Sequence, residues 1–211
     1  RSCLVGSEMC IRDRNTNNNN SENTDVAFVA PRDAEAGGTW IASNAFGITL
    51  CLLNNYQLQA SLPDREPAKQ WKTRGEIVDR LIDCDSVSAI GQRISELSLD
   101  DYRAFDLVAI QAKSLRGVAT QWRWSGQKIE CISDLQPPLT SSSLEYDSVT
   151  AARKDLFLEY QKDLAKITES KQWLERMFDY HSSHFEVEQE SLARQGIANY
   201  SVCAHRQHSK T

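Results

Sequence analysis

The chain has no apolar run long enough to cross a bilayer: its longest, residues 48–53, falls far short of the roughly 20 residues a spanning helix needs. No apolar stretch follows Arg1, so no secretory signal is read there. A basic excess is also lacking. Lys and Arg number 24 against 29 Asp and Glu, and a net charge of -5 gives no global field to hold nucleic acid. Paired cysteines are missing too. Cys3, Cys10, Cys51, Cys84, Cys131 and Cys203 are scattered and form no CxxC pair. In a chain this size that pattern points to free thiols in a reducing compartment, and the expected location is cytoplasmic. What remains is ordinary globular material, 40% hydrophobic and 25% charged over 211 residues, enough for one domain or two small ones.

Both ends read as cut. Residues 2–14, SCLVGSEMCIRDR, show neither helical nor alternating period and run into the polar stretch 15–20. The segment LVGSEMCIRDR resembles a translated sequencing-library adapter of the transposase type. The expectation is therefore a foreign leader over 1–14, a disordered polar segment over 15–24, and a partial domain over 25–211. At the far end, residues 200–206 read as a strand with only five residues after it.

Between these ends, strands are expected at residues 25–30, 39–43, 48–53, 105–111, 118–124 and 128–132. Asn44-Ala45-Phe46-Gly47 suits a hairpin loop because Asn and Gly tolerate positive φ. Residues 55–72, with Pro63 and Pro67, read as an exposed loop. Thr73 with Glu76 suggests a capping box, and Val87, Ile90, Ile94 and Leu97 share one helical face. Two more helices are expected at about 148–167 and 169–180. Strands in hairpins and helices in pairs favour an α+β fold with antiparallel sheets and helices layered outside, not a doubly wound parallel sheet.

Four segments together resemble the NRDE-motif, or transport and Golgi organisation 2, family. They are Ala30-Pro31-Arg32-Asp33 with Gly37-Gly38-Thr39-Trp40, Asn44, Gly47 and Leu52-Leu53-Asn54; Thr73-Arg74-Gly75-Glu76-Ile77-Val78; Tyr102-Arg103-Ala104-Phe105-Asp106-Leu107; and Thr140-Ser141-Ser142-Ser143 with Ala151-Ala152-Arg153 and Ser201-Val202-Cys203-Ala204-His205-Arg206. The resemblance implies an αββα sandwich of two antiparallel sheets flanked by helix pairs, incomplete here at the N-terminus, as in N-terminal-nucleophile hydrolases. It implies a cysteine directly after the initiator Met, attacking an amide or acyl bond with its own α-amine as base. Met9-Cys10 imitates that start, but Asp13 follows too soon for a hairpin to return an Arg and an Asp to the thiol. Cys10 is therefore read as an artefact and the nucleophile as absent.

The residues expected to carry chemistry are Asn54, Ser142 and Arg206. Asn54 would donate its amide to an oxyanion, or else make a local turn with Asn55. Ser142, within Thr140-Ser141-Ser142-Ser143, would contact substrate, or the segment caps a helix. Arg206 would bind a carboxylate, or lie on the surface. Gly37-Gly38 reads as a tight turn, not a phosphate cradle. Arg74 and Glu76 read as a helix start. Trp122 and Trp124 share a strand face, in a ligand groove or the core. Cys203, His205 and His208, with His181 and His184, fall short of a zinc pattern, so no metal is expected. No cofactor is assigned, although Cys203 and His205 could serve a haem. The partner expected is a small-molecule substrate or ligand, with no nucleic acid and no membrane span. The competing function is non-enzymatic binding or trafficking of haem or lipid.

Overall fold

The computed structural model describes residues 7–13, 26–33, 37–61, 70–112, 117–142 and 146–182, with the backbone alone for 7–13 and 61. The chain divides into two compact units, one over residues 4–135 and one over residues 136–211 with residues 1–3.

The first unit carries seven strands: β1 (Ser7–Asp13), β2 (Ala27–Asp33), β3 (Ile41–Asn44), β4 (Ile48–Asn54), β5 (Phe105–Gln111), β6 (Val118–Trp124) and β7 (Ile129–Ile132). They form one antiparallel sheet in sequence order. Tight turns return β4 beside β3 and β7 beside β6, whereas β5 pairs with β4 after the long connection that carries the helices. Gly47 turns β3 into β4 at φ 73°, and Gly126 turns β6 into β7 at φ 93°.

Three helices belong to this unit: α1 (Tyr56–Ser61), α2 (Gly75–Leu81) and α3 (Val87–Glu96). The register decides which side chains meet α2 and α3. Leu52 lies opposite Leu107, which lies opposite Trp122, while Phe105 lies opposite Trp124. These residues, with Ile48 and Leu50, form one core with Ile77, Val78, Leu81, Ile90 and Ile94 of the helices. Burying each such side chain contributes about 1.5–3 kcal/mol, so the face as a whole dominates the unit's stability. Both tryptophans are core residues, and the Trp124 indole N–H donates to the Tyr102 carbonyl at 3.0 Å. That corrects the ligand-groove alternative for them. Gly91 lets α3 approach: a Cβ there would sit 3.3 Å from Trp122.

Two sequence motifs meet in a backbone contact. A Cβ on Gly38 would lie 2.7 Å from the Gly75 Cα, and a Cβ on Gly75 would lie 2.7 Å from the Thr39 nitrogen. Gly38 thus serves close approach to the start of α2, while its neighbour Gly37 takes the turn at φ 78°.

The α+β class and the antiparallel arrangement hold. The described strands form one sheet rather than the two the resemblance implies, and the strand expected at 200–206 lies outside the described residues. Residues 1–14 are expected outside the fold, yet β1 pairs with β2 from Ser7 opposite Asp33 to Asp13 opposite Ala27. The open edge of β2 offers N–H and C=O groups that an extended segment can take. Residues 55–72 are not wholly loop: α1 begins directly after Asn55, whose side-chain oxygen accepts the Leu58 N–H at 3.0 Å. The Thr73 capping box does not form. Arg74 occupies the N-cap without a side-chain cap, and the Glu76 carboxylate accepts from the Tyr102 hydroxyl instead. Ser86 caps α3, accepting the Ala89 N–H at 3.2 Å.

The second unit holds α4 (Tyr146–Leu164) and α5 (Ser170–His181). Tyr180 of α5 packs edge-on to Phe157 and Tyr160 of α4, each at 5.4 Å. The Arg176 guanidinium lies 4.0 Å from the Tyr160 ring centre and 2.6 Å from the Asp163 carboxylate. No described helix is long and apolar enough to cross a membrane.

Gly38→Ala and Gly75→Ala each force the two backbones apart. Each should cost about 1–3 kcal/mol, a fall in melting temperature of several degrees in a thermal unfolding experiment. Unchanged melting in both would show that the contact is slack.

Candidate functional site

Polar side chains gather where β4 ends and β5 begins. Asn54 closes β4 opposite Phe105. The Asn55 N–H donates to the Ala104 carbonyl at 3.1 Å, and its side-chain amide donates to Asp106 at 2.8 Å. Asp106 is buried and is the one charged residue of its strand. A carboxylate is stable there only with donors around it. It has three: Asn55, the Gln121 amide at 2.6 Å and the Arg123 Nε at 2.7 Å. Asp106 and Arg123 are register partners, so the pair also joins β5 to β6. Alternation along β5 puts Asp106 on the sheet face opposite the core residues Phe105 and Leu107.

A second group surrounds Arg74. Its Nη1 donates to the Ala104 carbonyl at 2.9 Å, and the guanidinium lies 6.0 Å from the Tyr56 ring centre. The Asn54 amide donates to the same Tyr56 hydroxyl at 3.0 Å. Burial pushes the Arg74 guanidinium below its ordinary value, and Arg103 adds to the effect while Tyr56 opposes it. Arg103 is exposed and stacks 5.8 Å from the Trp71 ring centre. Nearby, burial pushes the Tyr102 phenol up; Arg80 opposes this, and the bond to Glu76 reinforces it.

The expected site residues are scattered among these findings. Asn54 belongs to the first unit and is engaged with Tyr56. Ser142 belongs to the second unit and is half-buried. Its neighbours Thr140 and Ser141 are tied to α4 by the Arg153 guanidinium, which donates to the Thr140 hydroxyl and to the Ser141 carbonyl at 3.2 Å. Arg206 lies outside the described residues, as do Cys203, His205, His208 and His184, so the haem and metal questions raised by them fall there too. His181 packs against the Tyr180 ring at 5.3 Å. Among the described residues no cluster of metal-ligating side chains occurs.

Cys51 and Cys84 are free thiols, and burial pushes both upward. In Cys84 the nearby Arg93 works against that rise. A thiol held protonated is a poor nucleophile, so neither fits a catalytic role. Sequence reasoning passed over Asn55, Tyr56, Asp106 and Gln121. The signal for Asp106 was present: a lone charge inside the largely apolar strand FDLVAIQ.

Removing the Asp106 carboxylate leaves three donors without their acceptor. Asp106→Ala should cost about 2–3 kcal/mol in urea unfolding, less than for a fully buried pair, because the Arg123 side chain is 37% exposed. Asp106→Asn keeps an oxygen acceptor and should cost less; equal losses would contradict the hydrogen-bond account.

The family model for transport and Golgi organisation 2 matches residues 11–209. It spans all four motif segments and both compact units. The search of curated proteins returned no match. The meeting of Gly38 with Gly75, and of Arg74 with Ala104, gives spatial sense to motifs far apart in sequence. The chain belongs to the transport and Golgi organisation 2 family.

Proposed function

We propose that this chain carries part of an N-terminal-cysteine hydrolase-like protein that acts on an amide or acyl bond of a small-molecule substrate in the cytoplasm. Family membership and the α+β fold support this reading. The observation that carries it is the placement of Asn54. Its amide stands at the end of a core strand and donates one N–H to Tyr56. A primary amide has two N–H donors. The second suits an oxygen on which negative charge develops, and rigid placement by the strand is what makes such a donor effective. The free thiols Cys51, Cys84 and Cys131 suit a reducing compartment.

In this reading the nucleophile is a cysteine exposed by removal of the initiator Met, with its α-amine as base. Cys10 is not assigned that part, and Cys51 and Cys84 are held protonated by burial. The test uses a parent chain that begins Met-Cys. An electrophilic acyl probe should label the N-terminal thiol, as mapped by mass spectrometry. Asn54→Ala should lower turnover of amide or ester substrates by about 100-fold or more. Failure of both amide and ester probes to label that thiol would overturn hydrolysis.

A further inference from the structure

Arg74 is a half-buried cation at the start of α2. Three other half-buried arginines each meet an aspartate, Arg93 with Asp83, Arg123 with Asp106 and Arg176 with Asp163, while Arg153 meets the Thr140 hydroxyl and the Ser141 carbonyl. Arg74 meets a carbonyl, a phenol and a second arginine. Among the described residues no carboxylate forms an ion pair with it. Taking a guanidinium partly out of water without a counter-charge is unfavourable unless something else supplies one.

The surrounding groups are rich in donors. A guanidinium offers five N–H groups and no acceptor, and Arg74 commits one to the Ala104 carbonyl. The Tyr56 oxygen accepts from Asn54, which leaves its own hydroxyl proton to donate outward. Arg103 adds a second cation, exposed and adjacent in sequence to the carbonyl that holds Arg74. The planar fork of an arginine matches the two oxygens of a carboxylate or phosphate.

We propose that Arg74, Arg103 and the Tyr56 hydroxyl form a subsite for an anionic oxygen group, a carboxylate or a phosphate, on a small molecule. Only in calling that molecule a substrate does this rest on the proposed hydrolase reading. Anion binding itself requires no turnover. An acidic substituent seated on Arg74 would lie beside Asn54, which donates to Tyr56, whose ring lies 6.0 Å from the guanidinium. The substrate class is then an amide or acyl compound bearing a negative charge near the reacting carbonyl.

The experiment is calorimetric titration of the full 211-residue chain at low ionic strength with succinate, inorganic phosphate and uncharged succinamide. Succinate or phosphate should bind and succinamide should not; the tighter of the two anions identifies the group. Arg103→Gln removes an exposed side chain, so the free protein's melting temperature should stay unchanged while anion affinity falls about tenfold or more. Arg74→Lys keeps the charge but loses the fork, and should weaken binding as well. Equal response to succinate and succinamide, no binding of either anion, or undiminished anion affinity in Arg103→Gln would overturn the subsite. Because binding is read without catalysis, an inert N-terminal thiol would count against hydrolysis alone.

Discussion

Asn44 fixes the geometry on which the first unit depends. Its side-chain nitrogen donates to the Ile82 carbonyl at 2.6 Å and to the Cys84 carbonyl at 2.8 Å. Its side-chain oxygen accepts from the Phe46 and Ile48 N–H groups at 3.0 and 3.1 Å. One buried amide therefore closes the β3–β4 turn and ties it to the segment between α2 and α3. Four polar backbone groups find partners there without water, which is what allows this corner of the core to be dry. With that segment fixed, α2 lies over β4 and its start brings Gly75 against Gly38. Arg74, one residue earlier, reaches the Ala104 carbonyl.

Much of this fold was legible in the sequence because its signals are local. Strands β5 and β6 fall on the expected residues 105–111 and 118–124, and Ser86 caps α3 as its hydroxyl suggests. Alternation and helical spacing are properties of short windows. The polar contacts were less legible because they are not local. Asn55 and Asp106 are 51 residues apart, and Asn44 and Cys84 are 40 apart. Asn44 looked like a turn residue and is one, but its side chain matters more than its φ. Thr73 and Glu76 matched the capping-box pattern, yet Tyr102 offered Glu76 a better partner across the fold.

The end of the sheet is built differently on its two sides. Asp106 is surrounded by donors and forms a closed network with Asn55, Gln121 and Arg123. That network is saturated and holds three strand ends in register. Around Arg74 the balance is reversed, with donors outnumbering acceptors. A closed network stabilises, whereas spare donors on a rigid frame are what the proposed anion subsite would use. Asn54 directly precedes Asn55 of the closed network and donates its amide to Tyr56, whose ring lies 6.0 Å from the Arg74 guanidinium.

The most direct test of this account is the equilibrium unfolding of Asn44→Asp in urea. Aspartate is a good turn residue and keeps both acceptor positions, but it has no N–H for the Ile82 and Cys84 carbonyls. If Asn44 fastens the hairpin to the helix segment, the substitution should cost about 2–4 kcal/mol, since two carbonyls lose their donor and face a buried charge. A loss below about 0.5 kcal/mol, within the range of ordinary surface changes, would show that Asn44 only makes a turn and would contradict the account.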